Sequence, residues 1–288
     1  MSIKNLIIFL LLISVSFLSG CTGLFFHPTR HKYSNPLDEG YECEGMYFES
    51  KDGTRLTGIW FPSTAANPKG TIVHFHGNAQ NMTSHYRYIS WITSPGYNVF
   101  TFDYRGYGAS DGTAGSMKDA VEDSVAALQA VLEIPGVNPD KIILFGQSLG
   151  TAMAIAAAAE SNFEPAALVL EGSIYSYKSI ARSYLARHWV TWPILWLPTV
   201  AITGNYVPKN EIRKIKAPKL FLHSVKDNIV PYSQGTRLFK AAPEPKTFLD
   251  VPNGHIEAFT FYGNYFSPRL LKFLDEVLNN QKDNDNIK

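Results

Sequence analysis

The fold is decided by residues 141–151, which read KIILFGQSLGT. The run from Lys141 to Phe145 is almost wholly apolar, as expected for a parallel β-strand that is covered on both faces. A Gly-x-Ser-x-Gly string follows at once, and the alanine-rich segment 151–160 then shows a helical pattern. Between a strand and a helix, such a string forms a tight, strained turn that exposes the serine hydroxyl. The segment therefore predicts an α/β fold with Ser148 as a nucleophile.

On both sides of this segment, short apolar runs alternate with helical patterns. Upstream, the β-type runs Glu44 to Glu49 and Thr54 to Phe61 flank Lys51-Asp52-Gly53, a good hairpin turn. The alternation that follows predicts a mostly parallel sheet with helices on both faces. The other predicted strands are 71–75, 98–102, 141–145, 167–170, 220–222 and 247–251.

Two helices have clear sequence signals. Residues 117–132 place Val121, Val125 and Leu128 on one face. The last helix is expected to begin at Ser267-Pro268, an N-cap serine followed by proline at N1. We expect one domain over residues 44–280 and a polar tail over residues 281–288.

The alternation is broken by a long aromatic insertion at about residues 172–216. It is predicted to cap the carboxyl edge of the sheet, where open α/β sheets bind ligands; two ordinarily packed helices are the alternative. Trp189, Trp192 and Trp196 have helical spacing and would share one face, although Pro193 could break that helix. If these tryptophans are buried, they are expected to line a substrate pocket. If they are exposed, they are expected to insert into a membrane surface.

A serine hydroxyl is a weak nucleophile until a base takes its proton. In enzymes with this turn, an acid and then a histidine follow the serine along the chain. Asp227 follows the strand 220–222, and His255 follows the strand 247–251. Because both lie just past parallel strands, we expect them at the same sheet edge as Ser148, with Asp227 orienting His255.

The charged intermediate of acyl transfer needs two preorganised hydrogen-bond donors. The backbone N–H of Leu149, which follows the serine, is the first candidate. The second is expected from the loop after the strand 71–75, where Gly77 permits close backbone approach and Asn78 or Ala79 donates.

Other residues of chemical interest are given structural roles. His74 and His76 form an H-x-H pair, which can be half of a zinc site, but no acidic residue follows closely. Asp103 also follows a strand, yet it precedes the serine, so we expect it to support nearby loop groups. We expect neither a metal nor a cofactor.

The amino terminus has the features of a lipoprotein signal peptide. Lys4 precedes an apolar stretch, residues 6–18, that is short for a membrane span and ends in Leu18-Ser19-Gly20-Cys21. This resembles a bacterial lipobox, with cleavage after residue 20 and lipid on Cys21; a retained amino-terminal anchor is the alternative. We expect residues 21–43 to be a tether or an edge segment. We expect the enzyme to lie on the cell envelope, at the outer membrane if there are two, since Thr22 follows Cys21.

The composition is that of an ordinary globular protein with a sizeable core. The 288 residues are 45% hydrophobic and 18% charged, with a formal net charge of +1. Neither the charge nor any basic cluster favours nucleic-acid binding. If Cys21 carries lipid, Cys43 has no partner for an intrachain disulfide.

Five motifs in this order, HFHGNAQN, FDYRGYGAS, FGQSLG, VKDNIVP and NGH, resemble the α/β-hydrolase superfamily. They look most like its serine aminopeptidase-like branch, also described as α/β-hydrolase domain-containing proteins. The resemblance spans about Glu44 to Leu278 and implies an α/β-hydrolase fold. It differs at Glu171, where the branch often has Asp.

Together these features predict a serine hydrolase that cleaves an apolar carboxylic ester or thioester through an acyl-enzyme. Related branches include esterases, lipases, acyl-protein thioesterases and peptidases, so a peptidase with the same triad is the first alternative. A non-catalytic envelope lipoprotein that uses the cleft for binding is the second.

Overall fold

The computed structural model describes residues 26–202 and 204–285, and strands form in it where the sequence is apolar and β-branched. The strands are β1 (His27–Pro28), β2 (Glu44–Glu49), β3 (Arg55–Phe61), β4 (Gly70–Phe75), β5 (Ala79–Gln80), β6 (Tyr97–Asp103), β7 (Ile142–Gln147), β8 (Ala167–Glu171), β9 (Lys219–Ser224) and β10 (Lys246–Val251). Eight of them form one sheet in the order β10-β9-β8-β7-β4-β6-β3-β2, while β1 and β5 form a separate parallel pair.

Within the large sheet, β2 and β3 form the predicted antiparallel hairpin, and β3 is also antiparallel to β6. All other neighbouring strands are parallel. Gly53 takes the left-handed conformation that the hairpin turn needs, with φ of 81°. The prediction of a mostly parallel sheet that begins with a hairpin is therefore confirmed.

Helices connect the strands and cover the sheet. They are α1 (Met82–His85), α2 (Met117–Leu132), α3 (Leu149–Ser161), α4 (Tyr177–Ala186), α5 (Leu197–Ala201), α6 (Pro208–Glu211), α7 (Tyr232–Ala241) and α8 (Gly263–Asp285). Short 3₁₀ turns lie at Pro36–Glu39, Tyr86–Tyr88, Ser90–Thr93, Pro139–Lys141, Trp189–Ile194 and Ile212–Lys214. Among the described residues, no helix is both long and apolar enough to cross a bilayer.

The prediction for the start of the last helix was wrong. Helix α8 begins at Gly263, so Pro268 lies inside it. The backbone N–H groups of Tyr265 and Phe266 both donate to the Tyr262 carbonyl and close an extra first turn before the proline. Pro268 lacks only its own N–H donor, which a helix tolerates near its beginning. The helix also continues into the predicted polar tail as far as Asp285.

Two apolar cores lie on opposite faces of the sheet, because successive strand residues point to opposite sides. Val73 and Leu144 pack into one core with α2, α3 and α4. Ile72 and Ile143, one position earlier, pack into the other core with the 3₁₀ turns at residues 86–93 and with α8. Helices therefore cover both faces of the sheet, as predicted.

The turn between β7 and α3 is the tightest place in the fold. A Cβ atom added at Gly150 would lie 1.9 Å from the Phe75 carbonyl oxygen, and one at Gly146 would lie 2.5 Å from the Gly150 carbonyl oxygen. Real Cβ atoms do not approach so closely, so both positions require glycine. Ser148 lies between them with φ of 53° and ψ of −118°, a strained conformation that is rare for residues with side chains.

The predicted tether, residues 21–43, is packed against the domain in the part that the structure describes. Phe26 is buried in the core, and β1 pairs with β5 beside it. The Arg30 guanidinium donates to the carbonyls of Ser110 and Gly112 at 2.9 and 3.0 Å. Residues 26–43 therefore obtain backbone partners from the domain. Cys21 and the predicted signal peptide lie outside the described residues.

We expect Gly150→Ala to lower the free energy of unfolding by about 3 kcal/mol or more, because two backbone segments must separate to admit the methyl group. Gly45→Ala in the edge strand β2 is the matched control, since a Cβ there would meet nothing within 4 Å. Its effect should stay within about 1 kcal/mol. Urea unfolding curves compare the two variants, and equal effects would contradict the close approach at Gly150.

Candidate active site

Ser148 lies at the carboxyl end of β7, at the first position before α3. Its backbone N–H donates to the Glu171 carbonyl at 2.8 Å, which ties the turn to the end of β8. Its side chain is nearly buried, with 8% of the residue surface exposed, and it lines the largest cavity described below. The sequence predicted this position for the serine, at the carboxyl edge of the sheet.

Asp227 and His255 come together from loops that follow β9 and β10. The His255 Nδ1 atom lies 2.6 Å from the Asp227 Oδ2 atom. The other carboxylate oxygen, Oδ1, accepts the backbone N–H groups of Ile229 and Val230, each at 2.8 Å. These two bonds hold the carboxylate fixed, so it accepts the Nδ1–H and orients the imidazole ring.

The Nε2 atom of His255 has no hydrogen-bond partner among the described residues. Its ring lines the same cavity as Ser148. A base whose Nδ1–H is held by a carboxylate keeps Nε2 unprotonated and able to accept a proton. The structure therefore pairs His255 with Asp227 and places Ser148 and His255 on the same cavity.

The predicted oxyanion donors lie beside Ser148. Leu149 is the first residue of α3, so its N–H is one of the four at a helix start that have no intrahelical acceptor. Gly77, Asn78 and Ala79 line the same cavity, and a Cβ atom added at Gly77 would lie 3.6 Å from the Ser148 Cβ atom. The Asn78 Oδ1 atom accepts the His27 backbone N–H and the Tyr107 hydroxyl, both at 2.9 Å, so the side chain of Asn78 holds this loop in place.

Asp103 makes hydrogen bonds that support the same loop, as the sequence predicted. Its Oδ1 atom accepts the Met82 backbone N–H at 2.7 Å and lies 3.3 Å from the His76 Nε2 atom. The carboxylate is completely buried. Because it fixes the start of α1, it positions the Gly77–Ala79 loop without reaching the cavity itself.

The cavity has a volume of about 810 Å³, within the usual range for small-molecule sites. It lies between the sheet edge and the insertion, and most of its wall is apolar. Its aliphatic side is formed by Ile174, Ile180, Ala181, Leu185, Leu197, Pro198, Ile202, Ile229, Val230 and Ile256. Gln234 fixes this wall, because its Oε1 atom accepts the Tyr175 N–H at 3.2 Å and the Ser179 hydroxyl at 2.9 Å.

The three tryptophans of the insertion do not line this cavity. Trp189, Trp192 and Trp196 are exposed by 77%, 61% and 60%. The chain around Pro193 forms a 3₁₀ turn, Trp189–Ile194, instead of continuing α4, so the expected α-helical face does not exist. The insertion does wall the pocket, but the prediction that these tryptophans form the wall was wrong, and α4 and α5 supply it.

Sequence reasoning treated Glu171 as a residue outside the triad and missed its place in the site. Its side chain is buried at the end of β8. The Oε1 atom accepts the Ala258 backbone N–H at 2.8 Å, and Oε2 accepts the Gln147 Nε2–H at 2.7 Å. Glu171 thus fastens the loop that carries His255 to the residue that precedes Ser148. An acidic residue in an otherwise apolar strand is the signal that could have revealed it.

A chain of buried polar groups continues from Glu171 into the sheet. Gln147 Oε1 lies 3.0 Å from His74 Nε2, and His74 Nδ1 lies 3.2 Å from the Thr101 hydroxyl. Burial lowers the pKa of His74 to about 3, so the ring is neutral and one of its nitrogens donates while the other accepts. Burial, only partly offset by the Gln147 and Ala258 hydrogen bonds, raises the pKa of Glu171 to about 7.

The two histidines of the H-x-H pair make hydrogen bonds within the protein. His74 pairs with Gln147 and Thr101, and the His76 Nδ1 atom lies 2.7 Å from the Gly77 carbonyl oxygen. Within the ranges 26–202 and 204–285, no cluster of three or more His, Cys, Asp and Glu side chains has the arrangement of a metal site.

Comparison with known proteins assigns the family. The sequence pattern of the serine aminopeptidase, S33, family matches residues 66–213. The protein YfhR of Escherichia coli K12 is 32% identical over 266 residues, which cover 90% of this chain and 89% of that protein. The chain belongs to the serine aminopeptidase S33 family. The human α/β-hydrolase domain-containing protein 17B is 29% identical over 252 residues, 86% of this chain and 80% of that protein.

Solved structures show that this S33 family member has the α/β-hydrolase fold. The Pyrococcus furiosus esterase Pf2001 superposes with a TM-score of 0.70 at 20% identity, covering 88% of this chain and 99% of that one. Acetyl xylan esterase 1 from Thermoanaerobacterium superposes with a TM-score of 0.64 at 19% identity, covering 87% of each chain. The predicted family and fold are confirmed, and the protein is a hydrolase by family.

The raised pKa of Glu171 predicts a pH-dependent stability. Its folded pKa of about 7 exceeds the ordinary value of 4.5, so the folded state holds the proton more tightly and stability falls as the pH rises between these values. The loss should be about 3 kcal/mol. Glu171→Gln should remove this slope, measured by urea unfolding at about pH 5 and about pH 8. The exposed Glu160→Gln is the control, and an equal slope in both variants would contradict the assignment.

Proposed function

We propose that the protein is a serine hydrolase that cleaves carboxylic esters or thioesters through an acyl-enzyme. The observation that carries the proposal is the arrangement around His255. Asp227 holds its Nδ1–H, its Nε2 has no hydrogen-bond partner among the described residues, and His255 lines the cavity that Ser148 also lines. A serine at a strained turn beside an oriented imidazole base is the arrangement that activates a hydroxyl for nucleophilic attack.

In the acylation step, the Ser148 oxygen attacks the carbonyl carbon and its proton passes to His255 Nε2. The carbonyl oxygen becomes an oxyanion, which the N–H of Leu149 and that of Asn78 or Ala79 stabilise. Collapse of this intermediate breaks the bond to the alcohol or thiol, which leaves with the proton from His255. The acyl group stays on Ser148.

In the deacylation step, water enters the site that the leaving group has vacated. His255 takes a proton from the water, and the resulting hydroxide attacks the acyl carbon. The bond to the Ser148 oxygen then breaks, and that oxygen recovers its proton from His255. Asp227 stabilises the imidazolium in both steps without taking a proton. The chemistry needs no cofactor.

The cavity favours an uncharged acyl group over a peptide amino terminus. An aminopeptidase must bind a positively charged ammonium group, which is costly to bury without a partner of opposite charge. Among the described residues, no Asp or Glu lines the cavity, and the insertion contributes aliphatic side chains and tyrosines. We therefore prefer an apolar acyl ester or thioester, and a peptidase with the same residues is the second candidate.

A fluorophosphonate probe tests the catalytic residues, because it reacts only with an activated serine. Ser148→Ala and His255→Ala should abolish labelling and lower kcat by several orders of magnitude, and the double variant should be little worse because the residues act as a unit. Asp227→Asn should also lower kcat strongly. Asp103→Asn should act mainly through stability, since its carboxylate does not line the cavity. Wild-type protein that is folded but inert to the probe would support the non-catalytic alternative.

A panel of acetyl to decanoyl esters, thioesters and aminoacyl amides separates the substrate classes. We expect the longer acyl esters to be preferred. Ala181→Phe should narrow the cavity and lower kcat/KM for long chains by roughly tenfold or more relative to acetyl esters, since each methylene in an apolar pocket contributes to selectivity. Trp192→Ala is the control and should leave this ratio unchanged. Faster turnover of aminoacyl amides than of every ester would support the peptidase.

We further propose that the enzyme is a lipoprotein of the bacterial cell envelope, anchored through Cys21. The support is the sequence Leu18-Ser19-Gly20-Cys21 after an apolar stretch of signal-peptide length. Thr22 in place of an acidic residue favours the outer membrane where two membranes are present.

Cys21→Ser should stop signal processing or release the protein from the membrane, because a multiply acylated cysteine anchors stably where a single chain does not. Mass spectrometry of the mature amino terminus and membrane fractionation measure both effects. A wild-type protein with an unmodified Cys21 would contradict this proposal.

A further inference from the structure

The insertion carries an exposed apolar surface that the catalytic site does not use. We define it as the aromatic surface, formed by Trp189, Val190, Trp192, Ile194 and Trp196, which are exposed by 77%, 68%, 61%, 40% and 60%. Single exposed apolar side chains are common, but contiguous exposed groups mark interaction sites. Three of the five tryptophans of the chain lie on this one short segment.

The aromatic surface lies at the rim of the cavity. Leu185 and Leu197, which flank it in the chain, both line the cavity wall. The Tyr184 hydroxyl donates to the Ile229 carbonyl at 2.9 Å, and Arg187 donates to the Asn228 carbonyl at 2.6 Å. These bonds hold this end of the insertion against the loop of Asp227, so whatever covers the aromatic surface also covers the approach to the catalytic groups.

The charged side chains of the insertion itself have one sign. From residue 172 to residue 210 the chain contains no Asp or Glu, whereas Lys178, Arg182, Arg187 and Lys209 are cationic. None of the four forms an ion pair with a carboxylate in the part of the chain that the structure describes. The net positive charge therefore remains available to an anionic partner, although the whole protein has a formal charge of only +1.

The amino-terminal chain enters the domain at the same place. His27, next to the first described residue, lines the cavity together with Ser148. Cys21 precedes Phe26 by five residues, so even a fully extended chain keeps it within about 18 Å of Phe26. The apolar stretch of residues 6–18 lies directly upstream. Any membrane attachment through this segment brings a bilayer close to the cavity rim.

We propose that the aromatic surface lies in the interface of an anionic phospholipid bilayer and sets the cavity mouth against the membrane. Tryptophan is favoured at the level of the headgroups, where its ring meets both apolar chains and polar groups. Cationic side chains near a bilayer attract anionic headgroups. An acid-free, tryptophan-rich segment combines both features, and the lipid anchor proposed above for Cys21 would put a bilayer within its reach. This docking does not depend on the proposed catalytic activity.

Tryptophan fluorescence of the full-length protein in vesicles tests the proposal. The vesicles contain phosphatidylglycerol and phosphatidylcholine with brominated acyl chains, which quench only tryptophans in the membrane. The Trp60→Phe/Trp91→Phe variant retains only the tryptophans of the aromatic surface. The brominated vesicles should quench most of its fluorescence, and its emission maximum should shift to shorter wavelength. In the reciprocal variant Trp189→Phe/Trp192→Phe/Trp196→Phe, the quenched fraction of the fluorescence should be several-fold smaller.

The charge contribution is measured in the same assay. Arg182→Gln/Arg187→Gln in the Trp60→Phe/Trp91→Phe protein should reduce quenching in phosphatidylglycerol vesicles to the level in pure phosphatidylcholine. Equally weak quenching in the two tryptophan variants would overturn the proposal, whatever the catalytic activity. A blue shift that depends on protein concentration without lipid would also overturn it, in favour of a second copy of the chain as the occupant.

Discussion

The site depends on one close approach, that of the turn after β7 to the end of β4. The Phe75 carbonyl lies where a Cβ atom of Gly150 would stand, so the first turn of α3 packs directly on the neighbouring strand. The same turn holds Ser148 in its strained conformation and lies beside Gly77, which follows β4, since a Cβ atom added at Gly77 would lie 3.6 Å from the Ser148 Cβ atom. The proposed nucleophile and the loop of the proposed oxyanion donors are thus positioned by the same backbone contact.

The buried polar groups extend this arrangement to the base. Glu171 joins the residue before Ser148 to the loop after His255, and Asp227 joins that histidine to the loop after β9. Burying polar groups is unfavourable unless each obtains a partner, so such a network tolerates few alternative arrangements. It holds together three loops that, being loops, have little apolar packing of their own.

The apolar residues of the insertion form two separate surfaces, the cavity wall and the exposed aromatic surface. The side chains of α4 and α5 that face the sheet edge wall the cavity, while the intervening 3₁₀ turn presents tryptophans to the outside. Helix α4 ends at Ala186 and the backbone is extended at His188, so the 3₁₀ turn that follows does not share one apolar face with α4. A cavity that excludes acidic groups and an outer surface that lacks them both suit an enzyme acting on acyl substrates beside an anionic membrane.

The strands, the serine turn, and the order of Ser148, Asp227 and His255 could be predicted from the amino-acid sequence. These features are local: a strand that is buried on both faces must be apolar, and a tight turn must have glycine at Gly146 and Gly150. The contacts of Glu171, of residues 26–43 and of the three tryptophans became visible only in three dimensions. Each of these contacts depends on a distant segment. Ala258 supplies the partner of the Glu171 carboxylate, and β5 supplies the partner of the amino-terminal strand. The three tryptophans do not contact the cavity and stay exposed. Periodicity shows that a side chain is apolar or polar, but not which surface it will meet.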